Sequence, residues 1–492
     1  MTLLTVDSWL DVDSWKGQFW AAEGWAAADG GTAEVLEPAT GTPLTSTGVA
    51  GPTDVDRAVV AAARAQEAWA AAPPAERAAV LRRAARLIED ATDQIVPWIV
   101  RETGGTVPKA HFEISLALAN FHEASGMPTQ PPGVVLPSTP DRESFAKRVP
   151  HGVVGVISPW NAPFILSARS LAPAIAVGNA VVLKPDVQTP VCGGFILAQA
   201  LTAAGLPAGV LQVLPGGAEA GEALVNHPGV AMISFTGSSA VGRRVGELAG
   251  RGLKKVSLEL GGNNAYIVLA DADVPAAASA GAFGSFLHQG QICMASGRHL
   301  VHESVAEEYA AVLAEKAGRL PVGDPHTGDV VIGPLINERQ LKRVDALVQD
   351  SVAAGARVRV GARFDGPFYY PTVLDRVLPE MAVFAQEIFG PVAPITTFRD
   401  DDEAIALANM TEYGLSAAVQ TSDLDRGTRI AERLRSGVVH VNDQTINDEA
   451  WIPFGGVGAS GNGSRFGAPA NWDAFTSWRW YTRRATPAPY PF

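Results

Sequence analysis

Between Val153 and Ser257 the chain repeats one pattern: a short apolar run, a glycine or proline break, then a helical stretch. The runs VVGVI, AVVLK, VLQVL and AMISFTG lack the alternation of a half-exposed strand, as expected of strands covered on both faces of a parallel sheet. FILAQALTAAG and AVGRRVGELAG supply the helices that cross between them. The pattern restricts this region to a doubly wound α/β unit. Beyond Ser257 a second alternating series runs through NAYIVLA, HLVHE, AVLAEKAGRL, APITTF, AIALANMTEYGLSAAVQ and SGVVHVN, and predicts a second α/β domain.

Ahead of the first series lies a helical front end. Thr53 is placed to cap a helix, Pro73 and Pro74 end it, and a second amphipathic helix is predicted from about Ala75 to Ala91. Residues 129–152 turn proline-rich and alternating, as in an extended hairpin that leaves the domain. With 492 residues, 47% of them hydrophobic, the chain can bury a large core. Its net charge of −13 would be repelled by nucleic acid or an anionic membrane surface. No segment has the roughly 18 uninterrupted apolar residues of a membrane span. The start MTLLTVDSWLDVDSW shows no basic region followed by an apolar one, and two cysteines make no disulfide framework, so a cytoplasmic protein is expected.

Two features raise the question of chemistry. The first is a dinucleotide fingerprint that is missing where it should be. GVGASG at 456–461 matches GxGxxG but lacks the preceding strand, the following helix and the later acidic residue. SFTGSSAVGRRVGELAG is the better phosphate site: a strand, a turn at Thr236, Gly237 and Ser238, and a helix whose N-terminal amides and dipole attract an anion. The second is Cys293 in HQGQICMASG, a thiol among polar and small residues, whereas Cys192 in VCGGFILAQAL reads as buried core.

SPWNAP (158–163), LKPD (183–186), FTGSSAVG (235–242), LELGGNNA (258–265), GQIC (290–293), EIFGPV (387–392) and PFGG (453–456) together resemble the aldehyde dehydrogenase superfamily in order and approximate spacing, over about residues 36–480. The resemblance implies an α/β, aldehyde dehydrogenase-like fold: a doubly wound cofactor domain (1–127 and 150–257), an α/β catalytic domain (258–450), and a β-hairpin oligomerisation arm with bridging segments at 128–149 and 470–492. An exposed hairpin has to cover its strand edges, so a homodimer or homotetramer is expected.

The chemistry the resemblance implies is NAD(P)-dependent oxidation of an aldehyde. The Cys293 thiolate adds to the carbonyl, hydride leaves for the nicotinamide, and water hydrolyses the thioester that remains. The Asn161 amide, with the backbone N–H of Cys293, would form the oxyanion hole. Glu259, an acid alone in an apolar stretch, would have the raised pKa that a base for the water step needs. Ile157, Ser158, Pro159, Trp160, Lys184, Gly216, Thr236, Gly237, Ser238, Val241, Leu260, Glu387 and Phe389 carry over as cofactor contacts. Lys184 and Glu387 fall to the ribose hydroxyls, Trp160 and Phe389 to the nicotinamide half; no metal is implied.

Two departures matter. Family members often carry glutamate three residues after the lysine; here Val187 stands there, so nothing at that position repels a 2′-phosphate and NADP joins NAD as a cofactor to consider. No arginine cluster stands around Asp186 to hold such a phosphate. A second glutamate, common after PFGG, is replaced in SGNGSR by Arg465.

In detail the motifs resemble the benzaldehyde and aromatic aldehyde branch. Phe164, Ile292, Met294, Trp451 and Phe454 are candidates for an apolar slot. Arg169 is weighed both as a contact to a substrate carboxylate or phenolate and as one half of a structural ion pair. Aliphatic aldehydes and semialdehydes stay open as substrates. So do a CoA-acylating enzyme, which typically lacks the acid at Glu259, and a catalytically silent binding protein on the same fold.

Overall fold

A computed structural model describes residues 9–463 and 465–492. Residues 1–8, part of the start read above, and Ser464 of SGNGSR lie outside them.

The apolar runs form the parallel strands Val153–Ile157, Ala180–Lys184, Leu211–Val213 and Val230–Thr236, the first three buried throughout. A fifth, Lys255–Glu259, pairs in parallel with Val230–Thr236. Across the sheet the order is Lys255–Glu259, Val230–Thr236, Val153–Ile157, Ala180–Lys184, Leu211–Val213. The chain therefore starts in the middle, winds to one side, and returns to build the other. At such a reversal, here between Val153–Ile157 and Val230–Thr236, the loops leaving the carboxyl ends diverge and open a crevice. The domain division drawn at 257/258 falls inside the last strand, which runs on to Glu259.

The front end is helical as read, through Pro52–Ala71, Pro74–Asp90, Thr92–Thr103 and Val107–Gly126. Thr53 is not the cap. It lies inside the helix; Gly51 takes the cap position and donates its N–H to Asp54 Oδ2 at 2.9 Å. The same region holds two hairpins that the helical pattern did not announce, Gln18–Ala21 with Gly24–Ala27 and Thr32–Leu36 with Pro43–Gly48. The first of these extends the main sheet antiparallel to Leu211–Val213.

The second series forms its own sheet, in the order Arg357–Val360, Thr372–Asp375, Val392–Phe398, Arg298–His302, Ala265–Val268, Ser416–Gln420, Val438–Val441. Only Arg357–Val360 pairs antiparallel. Alternate residues of its strands enter two apolar clusters: Ile267, Leu300 and Val419 in one, Tyr266, Val268, Val301 and Ala418 in the other. That is the period-two signature of a sheet covered on both faces.

Residues 129–152 do leave the domain, as Gly133–Val135 and Glu143–Pro150, and Thr476–Arg483 joins them antiparallel as a third strand. Val135 is 89% exposed on one edge of this arm, and Trp478 and Trp480 are exposed on the other edge strand. Among the described residues no helix is long and apolar enough to cross a membrane.

Candidate active site

The crevice at the switch point is a groove of about 1580 Å³. Ile157, Ser158, Pro159 and Trp160 line it from the end of one strand, Lys184 from the next, Gly216 from the loop after Leu211–Val213, and Thr236, Gly237, Ser238 and Val241 from the turn into the helix Ser239–Arg251. Ser238 Oγ accepts from Val241 N at 3.4 Å, which leaves the preceding amides of the first turn pointing outward. Lys184 is buried, its ammonium donating to the Gly216 carbonyl at 2.5 Å, and burial pulls its pKa down. Val187 lines the same groove, as do Glu222 and Arg244, which pair at 3.0 Å. One arginine from another element thus reaches the groove, already paired with an acid.

The groove continues into a cavity of about 780 Å³ that adds Asn161, Leu260, Cys293, Glu387 and Phe389. Trp160 and Phe389 meet edge to face with centroids 5.5 Å apart. Glu387 Oε1 accepts the Gly262 N–H at 2.9 Å, and burial pushes its carboxyl up to about 7. A Cβ on Gly261 would displace this carboxylate from the position it holds.

Cys293 sits on the loop between the helix Val274–Phe286 and the strand Arg298–His302. His288, Gln289 and Gly290 take three successive left-handed conformations, at φ 48, 57 and 66°, and reverse the chain. The loop is then pinned from three sides. Gln289 Nε2 donates to the carbonyls of Gly104 and Pro334, Asn264 Nδ2 to those of Cys293 and Ala295, and Ser296 N to Gly284. Burial, with Glu387 adding to it, pushes the Cys293 thiol up to about 12, so the resting group is the neutral thiol. Asn161 Nδ2 donates to the Gln291 carbonyl at 2.8 Å, which fixes the amide against the cysteine loop.

Glu259 lines neither cavity but lies near enough for its charge to act on Cys293 and Arg169. It is 4% exposed, and neither carboxylate oxygen has a hydrogen-bond partner. Burial raises its pKa well above the carboxylate range, with Arg169 and then Arg465 pulling the other way. Arg465 also donates to Asn462 Oδ1 at 3.1 Å.

On the far side of Cys293 and Asn161 lies a second pocket, of about 610 Å³. Ile292, Met294 and Phe454 line it as expected, with Ile165, Leu166, Phe112, Leu116, Leu287 and Ile446. Two candidates do not belong to it. Phe164 is wholly buried in the core of the first domain, because the helix Pro163–Ala176 turns Ile165, Leu166 and Arg169 to the pocket and Phe164 away from it. Trp451 is 57% exposed and stands outside. The missed wall, Lys109, Phe112, Glu113 and Leu116, is one face of Val107–Gly126 at three and four spacings, a signal present in the sequence. Arg169 lines the pocket but is ion-paired with Asp448, and its guanidinium lies 4.7 Å from the Phe454 centroid. The structural acid partner is therefore the reading the geometry supports.

Two remaining features are structural. GVGASG forms a loop whose Ala459 and Ser460 carbonyls accept from Ser239 Oγ and Leu260 N, so it braces the true turn. Cys192 is buried with its N–H on Glu102 Oε2 at 2.7 Å. Among the described residues no group of three or more His, Cys, Asp or Glu is placed to hold a metal.

The family model for the aldehyde dehydrogenase family matches residues 25–481. The chain belongs to that family. It is 53% identical to the benzaldehyde dehydrogenase [NAD(+)] of Pseudomonas putida over 479 residues, covering 97% of this chain and 98% of that protein. It is also 53% identical to the vanillin dehydrogenase of an Amycolatopsis species over 486 residues, covering 99% and 100%. The crystal structure of a salicylaldehyde dehydrogenase from Pseudomonas putida G7, complexed with salicylaldehyde, superposes with a TM-score of 0.93 at 35% identity, covering 97% of this chain and 100% of that one. As an aldehyde dehydrogenase, the chain has the mixed α/β fold, with two parallel-rich sheets.

Proposed function

We propose that this aldehyde dehydrogenase oxidises an aromatic aldehyde to the carboxylic acid with NAD, through a thioester on Cys293. One observation carries the reading. Cys293 and Asn161 form a shared wall between the groove at the switch point and an apolar pocket behind it. A carbonyl carbon bonded to Sγ from the pocket side is thereby presented to the groove side. The relatives named for benzaldehyde, vanillin and salicylaldehyde support the aromatic assignment, and the aliphatic and aromatic lining supports it independently.

The groove's donor set fits a dinucleotide. Outward amides and the Thr236 and Ser238 hydroxyls at a helix N-terminus suit the diphosphate. Lys184 and Glu387 suit the ribose hydroxyls, Trp160 and Phe389 the nicotinamide half, and Gly216 and Gly217 leave room for close approach. When bound, the nicotinamide ring supplies the acceptor for hydride. The chain's own residues do the rest. The Cys293 proton must pass to solvent water in the cavity before Sγ attacks, because burial keeps the thiol neutral. Asn161, held by Gln291, presents its remaining N–H to the carbonyl oxygen as charge develops there. Glu259 has both oxygens unengaged and takes the proton of the water that cleaves the thioester; the resemblance pairs it with a second acid, but here Arg465 stands in that place, so Glu259 works alone.

The labour divides between residues 1–127 with 150–259 for the cofactor and 260–450 for catalysis, the boundary moved from 257/258 to follow Glu259, where the strand ends. The segments 128–149 and 470–492 bridge subunits in a dimer or a dimer of dimers, and the enzyme works in the cytoplasm. Incubation with benzaldehyde and NAD, without CoA, tests the function: we expect reduced cofactor and benzoate in equal amounts. Turnover that requires CoA would assign an acylating enzyme, and none with any aldehyde a silent one.

A further inference from the structure

The switch-point groove carries an ion pair that the chemistry above does not use. Glu222 stands on the helix Ala218–Asn226 and Arg244 on the helix Ser239–Arg251, and Arg244 Nε donates to Glu222 Oε1 at 3.0 Å across the gap between them. Both side chains line the groove, and both are about half exposed, at 49% and 46%, so a bound molecule can reach them. The pair lies beside the lysine assigned to the ribose. A Cβ on Gly221, the residue before Glu222, would sit 3.7 Å from Lys184 Cδ and Cε, so the helix that carries Glu222 packs against the stem of that lysine. Val187, three residues on from Lys184, lines the groove as well and brings no charge. From the same two helices Val225, Val241 and Leu248 line the groove, an apolar surface suited to a purine. NAD and NADP differ at the adenosine end by one group, a 2′-phosphate in place of a hydroxyl. A guanidinium matches a phosphate by charge and by its fork of N–H donors. Here that guanidinium is already held by a carboxylate, and a phosphate brought to it must either displace Glu222 or stand beside a like charge. A hydroxyl meets neither cost.

We propose that Glu222 is a specificity-determining residue for the cofactor: by holding Arg244 it withholds from NADP the cation that would bind the 2′-phosphate, and so favours NAD. The proposal rests on the groove being the dinucleotide site. It makes the preference a property of one ion pair between two helices, and a single neutralised carboxylate releases it.

The test measures Kd for NAD and for NADP by quenching of intrinsic fluorescence, without aldehyde, in the wild type and in Glu222→Gln. NADP should bind about 5- to 10-fold more tightly in the variant, between the scale of an exposed ion pair and that of a charge-assisted hydrogen bond, while NAD changes less than about twofold. Adding Arg244→Ala to Glu222→Gln should return NADP to near its wild-type Kd. A gain that survives the loss of Arg244 overturns the proposal, since Glu222 would then act by its own charge or another cation, such as Arg339 in the same groove, would bind the phosphate. Arg244 Nη1 also lies 3.4 Å from Glu247 on its own helix, an acid that a released guanidinium can turn to. The Glu222→Gln, Glu247→Gln double variant removes both acids, and an NADP/NAD ratio of Kd unchanged in the single and the double variant overturns the role of Glu222 while leaving the groove as the NAD site. If Lys184→Met leaves both Kd values unchanged, the dinucleotide does not occupy this groove, and the inference falls with that reading.

Discussion

Two cysteines in one chain show how surroundings decide chemistry. Both are buried enough to be neutral at rest, yet Cys192 lies against Glu102 in the core while Cys293 opens onto two cavities. Cys293→Ala should therefore abolish oxidation and leave NAD binding, followed by quenching of intrinsic fluorescence, nearly unchanged; Cys192→Ala should keep most of the activity. More than a few per cent of the wild-type rate in the first variant would remove Cys293 from its role. Glu259 gives a prediction with a sign. Its pKa is raised, so it is protonated at low pH and becomes a base only as pH rises through that value. Steady-state kcat should climb with pH on a limb that disappears in Glu259→Gln, where the slow residual rate no longer follows that titration. A limb of the same midpoint in the variant would assign the titration to another group.

At the scale of elements, the loop after Ala180–Lys184 tests the carried-over register. Val187 lines the groove beside Lys184 and Gly216. We expect NAD to be preferred only modestly, with Arg244 engaged by Glu222. Val187→Glu should weaken NADP by roughly 1–3 kcal/mol, the scale of a like charge or unpaired polar group against a ligand, and leave NAD unchanged or improved. An unchanged NADP/NAD ratio of kcat/KM would mean that this position does not face the ribose. Elements were legible where burial is two-sided: the strands at 153–157, 180–184, 211–213 and 230–236 announce themselves as mostly apolar runs, with polar residues few and placed singly, as Lys184, Gln212, Ser234 and Thr236 are. The hairpins near residues 18–48 did not, being short, half-exposed and bounded by turns that resemble loops. Within the site, the motif turns were readable, since glycine and cysteine there answer to backbone and bond chemistry. The pocket wall was less so. Phe164 and Ile165 are neighbours in sequence, and which faces the pocket depends on the helix phase, while Lys109 and Phe112 arrive from an element some fifty residues earlier.

For the whole molecule, catalysis needs both sheets, because the groove belongs to the first and the cysteine loop to the second. We propose that the arm serves assembly instead. Its outer strand Thr476–Arg483 exposes Trp478 and Trp480, an apolar edge of the kind that pairs with another subunit. Light scattering should give a dimer or tetramer for the wild type and a smaller species for the Trp478→Glu, Trp480→Glu double variant. The same mass for both would place the subunit contact elsewhere. The central claim, that an acyl group passes through Cys293 and leaves with the help of Glu259, is tested most directly by intact-protein and peptide mass spectrometry of Glu259→Gln after brief exposure to benzaldehyde and NAD. The account predicts a burst of reduced cofactor close to one per active site and one benzoyl group on the peptide that carries Cys293. A burst with no acyl adduct, or an adduct on a peptide without Cys293, would contradict it.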